Sequence, residues 1–230
     1  MENYDYISKN LTELCDEIAS LSKKADRSVT LVSVTKSGSD EELIELCRAG
    51  ALDVGENRPQ ELVRRGALLK EAGLTPRLHE IGNLQRNKVK YIIENVSLIH
   101  SLDTLQLAAE IDRQAKRIGR QVPVLIEINS GREEAKGGVM PEDAEKFAEE
   151  IRKFDSLLLS GVMTMGPALD DEEQLRPYFR LTKEIFDSLK DNGYFVGEGI
   201  LSMGMSDSYK VAIEEGSTLV RVGRRLFKKQ

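Results

Sequence analysis

A single lysine follows the first predicted strand, at the point where parallel sheets keep their functional side chains. Residues 29–35 form an apolar run that predicts a buried strand, and Lys36 follows it directly. Residues 37–40, Ser-Gly-Ser-Asp, predict a loop that ends in a helix N-cap. A primary amine at the carboxyl end of a strand can condense with an aldehyde. A lysine whose amine only reaches solvent gives the same pattern, so Lys36 alone leaves both interpretations open.

A second group of polar and small residues follows the last two predicted strands. Residues 201–207 lead from a strand into a helix that we expect to begin at Ser206 or Asp207, and free N–H groups there favour an anion. Just past the next strand, the sequence Gly-Arg-Arg at 223–225 offers further amides and positive charge. An N-cap beside a glycine turn explains the first half of this pattern, but not the second glycine and the arginines. The residues expected at the ligand in these two segments are Ser202, Gly204, Met205, Ser206, Gly223 and Arg224.

Strand and helix patterns alternate along the whole chain. The predicted strands are residues 29–35, 53–55, 77–81, a strand that begins with 97–99, 122–128, 157–163, 200–202 and 218–222. The predicted helices are residues 5–25, 40–49, a segment ending at Gly73, 87–94, 104–118, 141–154, 171–191 and 208–215. Eight strand-and-helix units predict an α/β chain with one (β/α)8 TIM barrel, an extra N-terminal helix and a single domain over residues 1–230. The main alternative, a doubly wound open sheet, would normally carry a glycine-rich first turn, which this sequence lacks.

The composition limits the classes of partner. Of the 230 residues, 40% are hydrophobic and 31% are charged, which is typical of a globular protein with a sizeable core. A net charge of −6 argues against nucleic acid or an anionic membrane as the main partner. No apolar run is long enough to span a bilayer and the N-terminus does not resemble a signal peptide, so we expect a cytoplasmic protein. With two histidines, a histidine-rich metal site is excluded, and we expect no metal.

An amine across a barrel mouth from a phosphate site suggests pyridoxal 5′-phosphate. Its aldehyde would form an imine with Lys36, and its phosphate would lie on the last two loops. Arg221, at the end of the eighth predicted strand, could face the pyridine nitrogen and keep it unprotonated. His79 fits either a core histidine or a catalytic base, and Met163 and Met205 fit either the core or the lining of a cofactor pocket.

Several segments, taken together, resemble the pyridoxal phosphate homeostasis protein family, whose fold is similar to the N-terminal barrel of alanine racemase. The matching segments are residues 32–36, 53–57, 79–88, 100–103, 124–129, 161–165, 201–207 and 214–223. The resemblance implies that Lys36 carries the covalent link and that Ser206, Gly223 and the next residue contact the phosphate. It also implies a ring environment that includes Asn57, His79, Met163 and Arg221.

Two positions call for separate comment within this resemblance. Arg224 stands where the family often has threonine or serine, so charge or backbone amides would replace a hydroxyl contact to the phosphate. Residues 132–138 look like the family's lysine-containing loop, in which Lys136 would be a secondary amine for the aldehyde.

Three functions are compatible with these features. The first is a carrier that holds pyridoxal 5′-phosphate as a lysine imine and buffers it in vitamin B6 homeostasis, without a dedicated reaction. The second is an amino-acid racemase or decarboxylase on the same barrel, and the third is a protein that binds another phosphorylated small molecule. A racemase needs two bases on opposite faces of the substrate, and the predicted barrel takes up the chain to Phe227, so we favour the carrier. Its expected partners are pyridoxal phosphate, amino acids and recipient apo-enzymes, and we expect a monomer.

Overall fold

Eight parallel strands close into a barrel in the order of the sequence. The computed structural model describes residues 4–133, 135–169 and 171–229. The strands are β1 (Thr30–Val34), β2 (Asp53–Glu56), β3 (Arg77–Glu80), β4 (Val96–Leu102), β5 (Val122–Glu127), β6 (Leu157–Met163), β7 (Ile200–Ser202) and β8 (Leu219–Val222). β8 pairs with β1 from Thr30–Leu219 to Ser33–Val222, which closes the sheet. The predicted (β/α)8 barrel is therefore confirmed.

Eight α-helices surround the strands. They are α1 (Asp5–Lys24), α2 (Asp40–Arg48), α3 (Pro59–Glu71), α4 (Val89–Ile92), α5 (Leu105–Arg117), α6 (Ala144–Ile151), α7 (Arg176–Asp191) and α8 (Tyr209–Glu214). Helices α2 to α8 follow the first seven strands, and within the described chain no helix follows β8. None of the helices in the described segments is both long and apolar enough to cross a membrane.

The N-terminal helix fills the position that a helix after β8 would take. The apolar face of α1, which includes Ile7, Leu11 and Leu14, shares a buried cluster with Val220 and Val222 of β8. The side chain of Asn10 donates hydrogen bonds of 3.1 and 3.0 Å to the carbonyl groups of residues 226 and 228, which joins the end of the chain to α1. The predicted extra helix is therefore part of the ring of helices that covers the barrel.

Several element boundaries differ from the predictions, mainly at the first turns of helices. The helices predicted at 87–94, 141–154 and 171–191 begin with 3-10 turns at Arg86–Lys88, Pro141–Asp143 and Glu172–Leu175. Such tight turns are frequent at helix N-termini, where the first N–H groups lack α-helical partners. β4 runs from 96 to 102; its second half contains the polar residues His100 and Ser101, so an apolar pattern does not mark its end.

The interior of the barrel has an apolar layer and a polar layer. Val32, Leu98, Leu125, Met163 and Leu219 form a separate buried cluster inside the sheet. Because side chains of a strand alternate between its two faces, the residues two positions after Leu98 and Leu219 also point inward. Those residues are His100 and Arg221, which are 0% and 3% exposed. The polar layer thus lies nearer the carboxyl ends of the strands.

Candidate ligand-binding site at the carboxyl ends of the strands

A cavity of about 960 Å³ opens at the carboxyl ends of the strands. This volume is within the range of pockets that hold small ligands. The predicted site residues that line it are Lys36, Asn57, Met205, Ser206, Arg221, Gly223 and Arg224. They come from β8 and from the loops after β1, β2, β7 and β8, so the barrel brings distant parts of the sequence into one cavity.

The turn that carries Lys36 is held from below by a buried arginine. Arg65 of α3 donates hydrogen bonds of 2.5 and 2.7 Å to the carbonyl groups of Thr35 and Gly38, on either side of the lysine. The same guanidinium lies 2.7 Å from the buried carboxylate of Glu56, which also accepts a hydrogen bond from the Thr35 hydroxyl. A planar guanidinium can bridge several acceptors in this way, so the turn has one defined geometry.

The Lys36 amine is open to the cavity. Lys36 is exposed, and it forms no ion pair or hydrogen bond with any other residue of the described ranges. After it, Ser39 caps α2 as predicted: the Ser39 hydroxyl accepts the Glu42 N–H at 3.2 Å, and the Glu42 carboxylate accepts the Ser39 N–H at 2.6 Å. The lysine therefore sits on an anchored loop with its nitrogen free to meet a carbonyl carbon.

Backbone segments approach one another closely where the ends of β8 and β1 border the cavity. The N–H of Gly223 points at the hydroxyl of Ser206, 3.2 Å away. A Cβ atom at residue 223 would lie 2.7 Å from the carbonyl oxygen of Val34, so only glycine fits there. The amide and hydroxyl groups of this wall are the kind that bind an anion.

The loop between β7 and α8 differs from its prediction. Neither Ser206 nor Asp207 begins the helix: α8 starts at Tyr209, and residues 206–208 form a turn. The reason is that Ser208 folds back, and its hydroxyl accepts the N–H of Met205 at 3.1 Å. This short helix therefore contributes no anion site of its own, and any anion contact comes from the turn itself.

Two of the three clustered arginines reach the cavity. Arg224 lines it, is 69% exposed and pairs with Asp207. Arg225 turns towards α1, where it pairs with Glu17 and donates a hydrogen bond of 2.6 Å to the Tyr209 hydroxyl. The cationic side chains at the cavity are accordingly Arg221 at its floor and Arg224 at its rim, together with Lys36.

Arg221 is a buried cation. It is 3% exposed, and it donates hydrogen bonds of 2.6 Å to the Ser202 hydroxyl and 3.0 Å to the carbonyl oxygen of Thr164. Burial lowers the pKa of Arg221 to about 10, although the Glu127 carboxylate opposes this shift. Arg221 is still a cation at neutral pH. Burial, with a contribution from Asp103, also raises the pKa of Glu127 to about 7.

Four predicted site residues lie behind the cavity wall. Met163 is 1% exposed in the inner apolar cluster, and Gly204 packs against α8, where an added Cβ would lie 2.5 Å from the Cβ of Ala212. His79 and Ser202 belong to the hydrogen-bonded polar residues inside the barrel that lead to Arg221. Lys136, the expected secondary amine, pairs with Glu133 at 2.7 Å and does not line this cavity.

The loop after β6 contributes an apolar wall of which only Met165 was considered from the sequence, as either a core residue or part of a pocket lining. Its cavity-lining residues include Met165, Pro167, Ala168 and Leu169, together with Leu175. Met165, Leu169 and Met205 are among the few large apolar side chains that stay more than a third exposed. The sequence does contain a sign of this wall, because apolar residues are uncommon in a loop that precedes an acidic first turn of a helix. Such a wall suits the face of a planar ring.

Comparisons with known proteins agree with this geometry. A family model described as the alanine racemase N-terminal domain matches residues 10–230. A pyridoxal phosphate homeostasis protein of Aquifex aeolicus is 40% identical over 222 residues, covering 95% of this chain and 96% of that protein. PipY of Synechococcus elongatus, solved with PLP bound, is 26% identical with a TM-score of 0.84, covering 96% of this chain and 100% of that chain. An alanine racemase of Clostridium difficile shares the fold at 22% identity and a TM-score of 0.75, and this chain spans 56% of it. The chain belongs to the pyridoxal phosphate homeostasis protein family, whose barrel is that of the alanine racemase N-terminal domain.

Proposed function

We propose that this protein binds pyridoxal 5′-phosphate, holds it as an imine on Lys36, and acts as a carrier and buffer in intracellular vitamin B6 homeostasis. The observation that carries the proposal is the pairing, in one cavity, of a free lysine amine with a wall of amide and hydroxyl donors. An aldehyde phosphate is the chemical class that satisfies both ends. The name of the Aquifex aeolicus relative and the PLP bound to PipY support the same ligand.

The cavity residues fit the parts of this ligand. Ser206 and the Gly223 N–H would face the phosphate, with Arg224 supplying charge from the rim. The apolar wall after β6 would pack on the ring, and Asn57 would lie beside it. Arg221 at the floor would face the ring nitrogen, where a permanent cation disfavours protonation of that nitrogen. The bound cofactor would then be a weaker electron sink, which suits storage better than catalysis.

The lining of the cavity favours a carrier over a racemase. Racemisation needs a second base on the face of the substrate opposite the lysine. Among the described lining residues there is no tyrosine, histidine, cysteine or second lysine. The carboxylates present are Asp171, Glu172 and Asp207; Asp171 accepts the N–H of Glu173, and Asp207 pairs with Arg224. An amino-acid racemase or decarboxylase remains the alternative function, since the family model is that of alanine racemase.

The partners proposed with this function follow from the chemistry of an imine. Any primary amine can displace the lysine from the cofactor by exchange, so amino acids and the active-site lysines of recipient apo-enzymes are the proposed acceptors. We propose that the protein works in the cytoplasm and as a monomer, as the sequence analysis expects.

Reduction with borohydride followed by peptide mass spectrometry tests the proposal. The wild-type protein incubated with pyridoxal 5′-phosphate should give a pyridoxyl adduct on the peptide that contains Lys36, and Lys36→Ala should abolish it. Lys136→Ala is the matched control and should keep the adduct. A reducible adduct that persists in Lys36→Ala, or that maps to Lys136 in the wild type, would refute the covalent assignment. Racemisation or decarboxylation of amino acids at ordinary enzymatic rates would establish the alternative function instead.

A further inference from the structure

Five polar side chains from five strands are joined by hydrogen bonds inside the barrel. At the amino end, Oδ1 of Asp53 lies 2.9 Å from Nε2 of His79, whose Nδ1 lies 3.0 Å from Nε2 of His100. Nδ1 of His100 lies 3.1 Å from the hydroxyl of Ser202, which accepts the 2.6 Å hydrogen bond from Arg221. Each of the five is at most 4% exposed, so bulk water cannot replace these partners.

The groups at the two ends of this series of hydrogen bonds determine which atom donates in each of them. Burial opposes ionisation of Asp53, but hydrogen bonds from His79 and Arg77 hold its pKa below the usual value, so it is a carboxylate that only accepts. Nε2 of His79 must then donate to Asp53. Burial lowers the pKa of His100 well below its usual value, so this ring is neutral. Because Arg221 can only donate to the Ser202 hydroxyl, the Ser202 proton points to Nδ1 of His100, and Nε2–H of His100 donates to Nδ1 of His79.

Ser202 therefore donates its own proton to His100 and accepts from Arg221. A hydroxyl that donates a hydrogen bond is also a better acceptor, because successive hydrogen bonds polarise one another in a medium of low dielectric constant. The second acceptor of the guanidinium is the neutral carbonyl oxygen of Thr164, and in the described chain no carboxylate hydrogen-bonds to Arg221. Besides the Coulomb attraction of Glu127, the polarity that reaches this buried cation through hydrogen bonds starts at Asp53, at the amino end of the barrel.

We propose that Asp53, His79, His100 and Ser202 are positioning residues, which set the orientation of Arg221 at the cavity floor and couple it to the amino end of the barrel. The inference rests on the proposed function, because it assigns these residues to the ligand that Arg221 faces. A second cavity of about 410 Å³ lies at the amino end and is lined by Asp53, Arg77 and His79, among others. A substitution of Asp53 should therefore affect the bound ligand through His79, His100 and Ser202, which do not line the ligand cavity.

The tautomers of the two histidines test the direction of the chain without any ligand. The protein contains only His79 and His100, so a long-range ¹H–¹⁵N spectrum of the tag-free chain resolves both rings. Both rings should carry a proton on Nε2 and none on Nδ1. A proton on Nδ1 of either ring, or an imidazolium, would overturn the proposed direction of these hydrogen bonds. This measurement is independent of pyridoxal phosphate, so its failure is distinguishable from failure of the proposed function.

Matched variants test the coupling to the ligand. Ser202→Ala removes an acceptor of Arg221, and we expect pyridoxal 5′-phosphate affinity to fall about tenfold. Ser33 is as buried on β1 as Ser202 but takes no part in these hydrogen bonds, so Ser33→Ala should change the affinity less than about twofold. Equal affinities in these two variants would overturn the positioning role.

A substitution of Asp53, which lies at the amino end of the barrel and does not line the ligand cavity, tests the coupling over the whole distance. Asp53→Asn keeps the size of the side chain but removes its charge, so we expect a change in the absorbance spectrum of the bound cofactor. Asp112→Asn, a buried carboxylate of α5 that accepts the N–H of Ser156 at 3.0 Å, is the control and should leave the spectrum unchanged. Identical spectra in both variants would refute the coupling through the barrel.

Discussion

Replacing Gly204 by alanine tests the loop that carries the proposed phosphate contacts. Gly204 has φ of +92°, which L-residues rarely adopt, and its carbonyl oxygen accepts the N–H of Arg221 at 3.0 Å. An added Cβ would lie 2.5 Å from the Cβ of Ala212 and 2.9 Å from the Cα of Tyr209. Both neighbours belong to α8, and one of the contacts is with backbone, so the helix or the loop has to move.

The cost has two separable parts. A left-handed conformation costs a non-glycine residue about 1–2 kcal/mol. Overpacking a tight interior costs about 1–3 kcal/mol more, so Gly204→Ala should lose about 2–5 kcal/mol of unfolding free energy. Gly73, with φ of +74° and no heavy atom within 4 Å of an added Cβ, isolates the first part. Gly73→Ala should lose only about 1–2 kcal/mol.

Urea unfolding followed by far-UV circular dichroism measures both losses. The slope of the unfolding free energy against urea should match that of the wild type, so that the shift in midpoint reports stability. Pyridoxal phosphate binding should weaken in Gly204→Ala and not in Gly73→Ala, because only the former displaces Met205 and Ser206. A loss at residue 204 no larger than at residue 73 would show that the crowding against α8 is relieved without cost, and the reasoning would fail.

Two further substitutions test buried charges near the site. Arg65→Met leaves Glu56 buried without its cation, so we expect a loss of about 3–5 kcal/mol and weaker cofactor binding, against less than about 1 kcal/mol for the exposed Arg64→Met; equal losses in urea unfolding would contradict this role of Arg65. Burial raises the pKa of Glu80 from 4.5 to about 8, so the stability that its neutral form contributes is complete below the lower value and is lost as the pH rises through the upper one. Glu80→Gln should therefore gain stability relative to the wild type as the pH is raised through that window, and a stability difference that does not vary with pH would refute the shift.

The fold was predictable because the strands that build it are apolar. Residues 157–163 and 200–202 were predicted with the bounds that β6 and β7 have in the structure. For β4 the sequence indicated a start at 97–99 but no end, and there is a physical reason: its inward-facing His100 and its neighbour Ser101 are polar and yet completely or almost completely buried. Hydrophobic periodicity detects burial only where apolar side chains meet it, so a strand that carries a polar layer looks like the start of a loop.

The candidate site was predictable where the order of strands alone places a residue. Lys36 lies two residues after β1 and Gly223 one residue after β8, and these strands are neighbours in a closed barrel, so both residues line one cavity. Met163 and His79 were assigned to the ligand from resemblance, and the structure places them behind the cavity wall. Whether a side chain lines a cavity or supports the wall depends on its depth along the barrel axis, and sequence spacing does not give that depth.

The position of the acid in the hydrogen-bond chain explains how a buried arginine can serve a ligand. A carboxylate placed directly against Arg221 would stabilise the cation best, but it would also cancel the positive potential that the ligand meets. Among the described residues no carboxylate hydrogen-bonds to Arg221: Glu127 acts on it only through space, and Asp53 at the amino end is joined to it through two imidazole rings and a hydroxyl. The hydroxyl of Ser202 and the carbonyl group of Thr164 satisfy the guanidinium without neutralising it, because neither carries a net charge. The barrel interior can therefore hold the Arg221 cation away from water and in a fixed orientation, with its positive charge directed to a ligand at the floor of the cavity.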